Sequence, residues 1–115
     1  MWIITKIGFF NIIEQDDDRE KGLLTVKARS RGDLEKLRDY IPYTNAIEES
    51  LLTDYQFRIK ALKHQVRGGI ACLINEIDYG KTKPAISKNF PERAGIYLDV
   101  WDTLNIIQYA KTPKD

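Results

Sequence analysis

Four cationic side chains at alternate positions in two apolar segments are the strongest candidates for a ligand site. Lys27 and Arg29 belong to one segment, and Arg58 and Lys60 belong to the other. If the two segments are neighbouring strands, all four cations lie on one sheet face, where like charges side by side are destabilising. One interpretation is a site for a small anion or single-stranded nucleic acid, with Trp2 close enough to stack on a base.

The other interpretation of this cationic face is a solvated surface. Carboxylates such as Glu48, on a neighbouring edge strand, would then pair with the cations, as surface charges commonly do at little energetic gain. The total charge does not decide between the two, because 18 Lys and Arg residues against 17 Asp and Glu residues leave a formal net charge of +1. A nucleic-acid function would therefore depend on how the charges are distributed.

Two further polar segments also have alternative interpretations. The segment 79–93 interleaves four cations with two aromatic rings: Lys81, Lys83, Lys88, Arg93, Tyr79 and Phe90. Such a cluster can bind phosphates, but a solvated polar loop accounts for it equally well. The acidic run Asp16, Asp17, Asp18 and Glu20 lacks the alternating ligands and central glycine of an EF-hand loop, which favours a solvated hairpin tip.

The sequence indicates no catalytic motif. His64 and Cys72 are the only residues of their types. Both fall on a predicted helix, with Cys72 away from its apolar stripe, so no Cys-His pair is indicated. Because no Gly-rich phosphate loop, Ser-His-Asp set or carboxylate pair of recognisable spacing occurs, no cofactor and no metal site are predicted.

The elements that position these residues follow from the periodicity of the apolar side chains. The predicted strands cover residues 2–14, 23–30, 45–50 and 54–62, the predicted helices cover 31–41, 63–78 and 93–109, and a loop covers 79–92. The first strand carries apolar side chains at both parities, so both of its faces should be covered. Apolar and polar residues alternate along the second and fourth strands, which places the apolar residues on one sheet face and the cations on the other.

The predicted order is β-β-α-β-β-α plus a C-terminal helix, in a single domain spanning residues 1–115. It predicts an α+β fold of the ferredoxin-like type, circularly permuted, with an antiparallel sheet in the order 1-2-4-3. The core between the sheet and the first two helices is predicted to consist of Leu24, Val26, Leu34, Leu37, Tyr55, Phe57, Ile59, Val66, Ile70, Leu73, Ile74 and Ile77.

The C-terminal helix is predicted to cover the second face of the sheet near the first strand. Its apolar side is formed by Tyr97, Trp101, Leu104 and Ile107. A large uncovered apolar patch is unusual for a soluble monomer. The covering helix would come from the same chain or from a two-fold partner. The doubly apolar first strand and the wide apolar face of the last helix together favour a homodimer.

Several short motifs resemble a family of small uncharacterised bacterial proteins. The opening Met1–Phe9, with its Met-Trp, Thr-Lys and Gly-Phe pairs, and the strand motifs Val26–Arg29 and Asp54–Arg58 match that family. An Ile-Asp-Tyr segment at Ile77–Tyr79 and a Val-Trp pair at Val100–Trp101 match it as well. The resemblance spans nearly the whole chain. It supports the fold and implies no activity.

The sequence favours a non-enzymatic binding or protein-interaction domain. One alternative is nucleic-acid or anionic-ligand binding through the cationic face. Another is a small enzyme, for which a deep pocket holding Arg29, Arg58 and a tyrosine would be the sign. No signal peptide is recognisable, and no run approaches the roughly 18 apolar residues of a membrane span. A soluble cytoplasmic protein that does not associate with membranes is therefore expected.

Overall fold

The computed structural model describes residues 1–78 and 82–109. In these ranges the strands are β1 (Trp2–Thr5), β2 (Gly8–Ile13), β3 (Leu23–Ala28), β4 (Glu48–Glu49) and β5 (Phe57–Leu62), and the helices are α1 (Asp16–Lys21), α2 (Arg31–Leu37), α3 (Lys63–Asn75), α4 (Thr82–Asn89) and α5 (Pro91–Tyr109). The predicted α+β class with an antiparallel sheet is confirmed.

The prediction of one strand at residues 2–14 is wrong, because this segment forms the hairpin β1–β2. Thr5 makes the turn: its hydroxyl donates a hydrogen bond to the carbonyl of Gly8 at 3.1 Å and accepts one from the N–H of Ile7 at 3.1 Å. The two strands together place apolar residues on both sheet faces. This explains why apolar residues occur at both odd and even positions of the segment 2–14. Strand β1 is left as an edge of the sheet.

The sheet formed by the described residues has five strands in the order β1-β2-β3-β5-β4, and all neighbours are antiparallel. This order differs from the predicted four-stranded 1-2-4-3, because residues 2–14 supply two strands instead of one. The predicted second and fourth strands correspond to β3 and β5. They are neighbours, with Val26 opposite Ile59.

The register divides the sheet into two faces. The helix face packs against α2 and α3 and includes Phe10, Val26 and Ile59. The open face carries the alternate side chains, which are Trp2, Ile4, Phe9, Asn11, Ile13, Thr25, Lys27, Arg58 and Lys60. Helix α1 packs against β3 at one end of the open face.

The core on the helix face agrees with most of the predicted residues. Val26, Leu34, Leu37, Ile59, Val66 and Leu73 are buried, and Leu24, Phe57 and Ile70 pack partly buried against the core. Tyr55 is buried as well but lies outside this core, because its ring packs against Phe9 on the open face of the sheet. Phe10, Ile12, Ala28, Ile41 and Ala61 join it. Ile74 and Ile77 were wrongly predicted as core: they are 56% and 68% exposed, because they line a groove beside the edge strand β1.

Helix α2 begins at the predicted place, Arg31, without a side-chain cap. Ser30 occupies the N-cap position, but its side chain makes no capping hydrogen bond. Asp33 is buried, and its carboxylate accepts a hydrogen bond from the N–H of Phe9 at 3.1 Å. A Cβ at Gly8 would lie 2.5 Å from Cγ of Asp33, so a glycine is required for this approach.

The prediction of a loop at 79–92 is wrong for most of its length, because α4 occupies Thr82–Asn89; residues 79–81 lie outside the described residues. Helix α4 packs against α5. Phe90 is buried between them, with the Lys36 ammonium 4.2 Å and the Arg93 guanidinium 4.3 Å from its ring centre. Arg93 also donates a hydrogen bond to Asp33 at 2.8 Å, which ties α5 to α2.

Helix α5 extends away from the core. None of its described side chains is buried. The radius of gyration is 16.0 Å, whereas a compact chain of this length would have about 13 Å. No helix within the described residues combines the length and apolarity that crossing a membrane requires.

Candidate functional site

Three of the five predicted site residues lie in one row across the open face. In this row Trp2 is paired with Asn11, Asn11 with Lys27, and Lys27 with Arg58. Directly opposite residues have Cβ atoms about 4.5–5.5 Å apart, so Lys27 and Arg58 lie side by side at the centre of the sheet. Trp2, at the edge, is 74% exposed.

Arg29 lies beyond the end of β3 and is held by an aromatic contact. Its guanidinium lies 4.3 Å from the ring centre of Tyr55 and donates a hydrogen bond to the carbonyl of Asp54 at 2.8 Å. The ring of Tyr55 meets Phe9 edge-on at 6.4 Å, and Phe9 meets Trp2 at 6.2 Å. A series of aromatic rings therefore connects Arg29 with Trp2 along the open face.

Lys60 does not belong to the cationic group, because a buried carboxylate neutralises it. Its ammonium forms an ion pair with Asp18 and donates hydrogen bonds to the side chains of Gln15 and Thr25, each at 3.0 Å. The hydroxyl of Thr25 also donates to Asp18 at 2.7 Å. The acidic run is therefore not a solvated hairpin tip. It forms α1, which turns Asp18 into the protein at 1% exposure.

The contacts of Asp18 decide its charge. Burial alone would raise the pKa of this carboxyl, but hydrogen bonds from Lys60, Thr25 and the backbone of Gln15 outweigh burial and lower the pKa below 3.8. Asp18 is therefore ionised at neutral pH, and its negative charge is paired with the positive charge of Lys60. Within residues 1–78 and 82–109 no three acidic, histidine or cysteine side chains gather as metal ligands would.

The middle of the open face stays positive, because Lys27 and Arg58 form no ion pair with any described residue. Arg58 donates to the hydroxyl of Thr53 at 2.7 Å, and its buried Nε has no partner among those residues. Glu48, predicted to neutralise this face, is paired with Arg58 in the sheet register. Its carboxylate accepts a hydrogen bond from Asn45 instead, at 3.2 Å.

The second cationic candidate, at 79–93, does not form a cluster among the residues that are described. Burial would lower the pKa of Arg93, but its hydrogen bonds to Asp33 and Tyr97 raise it, so this cation is committed to an internal contact. Phe90 is buried beside it and Lys88 is exposed. Tyr79, Lys81 and the side chain of Lys83 lie outside the described residues.

Two apolar grooves flank the edge strand β1. The larger, about 510 Å³, lies between Ile4, Ile86 and one side of α5. The smaller, about 270 Å³, lies between β1 and the end of α3. Neither groove is lined by Arg29 or Arg58, so neither is the pocket expected for the enzymatic alternative.

No family model, curated protein or solved structure matches this chain. Its function must therefore be inferred from the chemistry of the open face and the exposed surface of α5.

Proposed function

We propose that this protein is a cytoplasmic, non-enzymatic protein-interaction domain that forms a homodimer through α5. The supporting observation is that large apolar side chains are exposed on every side of this helix. Ile96, Leu98, Val100, Trp101, Leu104, Ile106, Ile107 and Tyr109 are between 39% and 75% exposed. A helix that is apolar all round is normally buried, so a second protein surface is expected to cover α5.

The exposed apolar area of α5, summed over all sides of the helix, is as large as the area that one partner of a standard interface buries. With about 150–200 Å² for a fully exposed large side chain, these eight residues present roughly 800 Å². The largest apolar patch on a typical monomer is about 300–600 Å², whereas each partner of a standard interface buries about 800 Å². Trp2 and Ile4, exposed at the neighbouring sheet edge, add to this surface.

A cytoplasmic location is supported by the single cysteine. The thiol of Cys72 is free and exposed on α3, and exposed thiols persist in the reducing environment of the cytosol.

Sedimentation velocity over a range of protein concentrations tests the homodimer. The mass should rise from 13.4 kDa to twice that value as the concentration increases. The triple variant Leu104→Ser, Ile106→Ser, Ile107→Ser should stay monomeric, because it removes apolar area at a small cost in helix propensity. The matched control Thr103→Ala, Gln108→Ala changes polar positions of the same helix and should dimerise normally. A wild-type protein that is monomeric throughout would refute the proposal.

A second candidate function is binding of single-stranded nucleic acid or a small anion by the open face. It is favoured by Lys27, Arg29 and Arg58, which have no carboxylate partners among the described residues and lie near the exposed ring of Trp2. Three phosphate contacts predict that the logarithm of the binding constant falls with the logarithm of salt concentration at a slope of about −2. Fluorescence anisotropy with a labelled single-stranded oligonucleotide measures this slope, and no binding at low salt would eliminate the candidate.

We further infer that β2, β3, β5 and β4, with α2 and α3, form a circularly permuted ferredoxin-like sandwich to which β1 adds an edge strand. The inference is supported by the chain order, which runs strand, helix, two strands and helix from β3 to α3, and by the packing of both helices on one face. In this arrangement the open face is the face that a helix or a ligand remains free to cover.

A further inference from the structure

We infer that α5 of one copy binds the open face of the sheet in a second copy, and that the second copy does the same in return. The part of α5 that makes the contact is its acidic stripe, defined as Asp99, Asp102, Ile106 and Tyr109. These residues are spaced i, i+3, i+7 and i+10, so they share one side of the helix. The inference rests on the homodimer proposed above and identifies the surface that its helix occupies.

Charge complementarity is the first argument. From Ala94 to Tyr109, α5 contains only two charged residues, Asp99 and Asp102, and both are acidic. Both are exposed, and neither forms an ion pair with a described residue. The open face offers the opposite charges, Lys27 and Arg58, which also lack ion pairs within the described part of the chain.

The spacing of these charges is the second argument. Helix residues three apart have Cβ atoms about 5–6 Å apart, and directly opposite residues in an antiparallel pair are about 4.5–5.5 Å apart. The pair Asp99 and Asp102 therefore matches the pair Lys27 and Arg58 in separation as well as in charge. Two carboxylates can face two cations without distortion of either element.

The apolar residues of the two surfaces continue the match. From the midpoint of the two aspartates to Tyr109, the helix rises about 13 Å. From the midpoint of Lys27 and Arg58 to Trp2, the row crosses two and a half strand spacings, or about 12 Å. When the charges are paired, Tyr109 therefore reaches Trp2, and Ile106 lies over the strands between them. Both ends of the stripe find a partner of matching chemistry.

The geometry of α5 directs this contact to another molecule. The groove between α5 and its own β1 is lined by Ile4, Tyr97, Trp101 and Leu104, among others, and by no residue of the acidic stripe. The beginning of the helix is held by the ion pair of Arg93. The acidic stripe is thus exposed on the side away from the chain's own sheet. A two-fold axis lets each copy supply one stripe and one open face, so the contact is made twice.

A charge-exchange experiment tests the contact. The first variant, Asp99→Lys with Asp102→Lys, places two cations of α5 against the cationic face. The second variant, Lys27→Glu with Arg58→Glu, places two carboxylates against the acidic stripe. Each variant alone should dimerise at least 10-fold more weakly than the wild type in sedimentation equilibrium. An equimolar mixture should form a heterodimer with close to wild-type affinity, because both of its contacts then pair opposite charges.

Two controls keep the experiment decisive. The variant Glu20→Lys with Asp39→Lys reverses two exposed charges outside α5 and should dimerise as the wild type does. Circular-dichroism melting shows whether each variant is folded. If the variant Lys27→Glu with Arg58→Glu is unfolded, the variant Lys27→Gln with Arg58→Gln replaces it. This neutral variant should dimerise several-fold more weakly than the wild type.

Each outcome bears on a different statement. A wild-type dimer that neither variant weakens would overturn this inference and leave the homodimer itself standing, whereas a monomeric wild type would overturn both. A third outcome is a single-stranded oligonucleotide that binds the wild-type dimer without dissociating it and does not bind the variant Lys27→Glu with Arg58→Glu. That result would assign the open face to nucleic acid and would also overturn the inference. An oligonucleotide that competes with dimerisation would support it.

Discussion

The substitution Asp18→Ala is expected to destabilise the protein more than the removal of a charge from an exposed ion pair. Asp18 accepts hydrogen bonds from the Lys60 ammonium, the Thr25 hydroxyl and the N–H of Gln15, and it is 1% exposed. Its removal leaves the ammonium of Lys60 with the neutral side chains of Gln15 and Thr25 and without a counter-charge.

The magnitude follows from this burial. Removing one partner of a buried ion pair costs about 3–5 kcal/mol, and the lower limit applies here because the side chain of Lys60 keeps 24% exposure. We therefore expect a loss of roughly 3 kcal/mol in the free energy of unfolding. For a domain of this size the melting temperature should fall by roughly 10 °C. The exposed pair of Arg31 and Glu35, spaced i and i+4 on α2, should contribute about 0.5 kcal/mol at most.

Urea unfolding followed by circular dichroism measures both values, with Glu35→Ala as the matched control. The double variant Asp18→Ala with Lys60→Met should recover much of the loss, because it removes both charges from the buried site. If Asp18→Ala cost no more than Glu35→Ala, the view that α1 is anchored by this ion pair would be wrong.

The pH dependence of stability provides an independent check on Asp18. Because the pKa of this carboxyl is lower in the folded protein than its ordinary value of 3.8, its charge stabilises the fold above pH 3.8. This contribution is lost as the pH falls through the folded-state pKa. The difference in unfolding free energy between wild type and Asp18→Asn should therefore be full at neutral pH and shrink below pH 3.8.

Three further predictions concern other parts of the fold. Gly8→Ala should lower the melting temperature, because the added Cβ would lie 2.5 Å from Cγ of Asp33. Phe10→Ala should cost about 3–5 kcal/mol in chemical unfolding, since Phe10 is fully buried in the core. The hydrogen bond to Glu76 raises the pKa of Tyr40 to about 12, so its contribution to stability is present below pH 10 and is lost as the pH rises towards 12. Absorbance titration should show the tyrosine ionising at lower pH in Glu76→Gln.

The residues of the open face could be predicted because the alternation of side chains along each strand determines which residues share a face. Side chains alternate with a period of two in every strand, so the apolar parity of Val26 and Ile59 also determines the parity of Lys27 and Arg58. The same rule fails at Tyr55, which precedes the regular part of β5. Its ring meets Phe9 on the open face. Parity is reliable only where the ladder of backbone hydrogen bonds holds the strand.

Other features could not be predicted because they depend on distant contacts. The acidic residues Asp16, Asp17, Asp18 and Glu20 look alike in sequence. Only the path of α1 decides that Asp18 points inward to Lys60, 42 residues away. Helix α4 was missed because Pro84 suggested a loop. A proline in the first turn of a helix is tolerated, since the N–H that it lacks would have no helical partner there.

Two surfaces of this chain are costly in isolation, and one contact would relieve both. Lys27 and Arg58 are like charges held side by side by the register, which is destabilising. Helix α5 exposes apolar side chains all round and buries none, so water orders around a surface that tertiary packing normally covers. A monomer would carry both costs together. If the acidic stripe binds the open face of a second copy, the cations gain counter-charges, and the helix gains apolar contacts through Ile106 and Tyr109 in a single step. We therefore favour a second copy over a nucleic acid as the occupant of the open face, because a nucleic acid would neutralise the cations and leave α5 exposed.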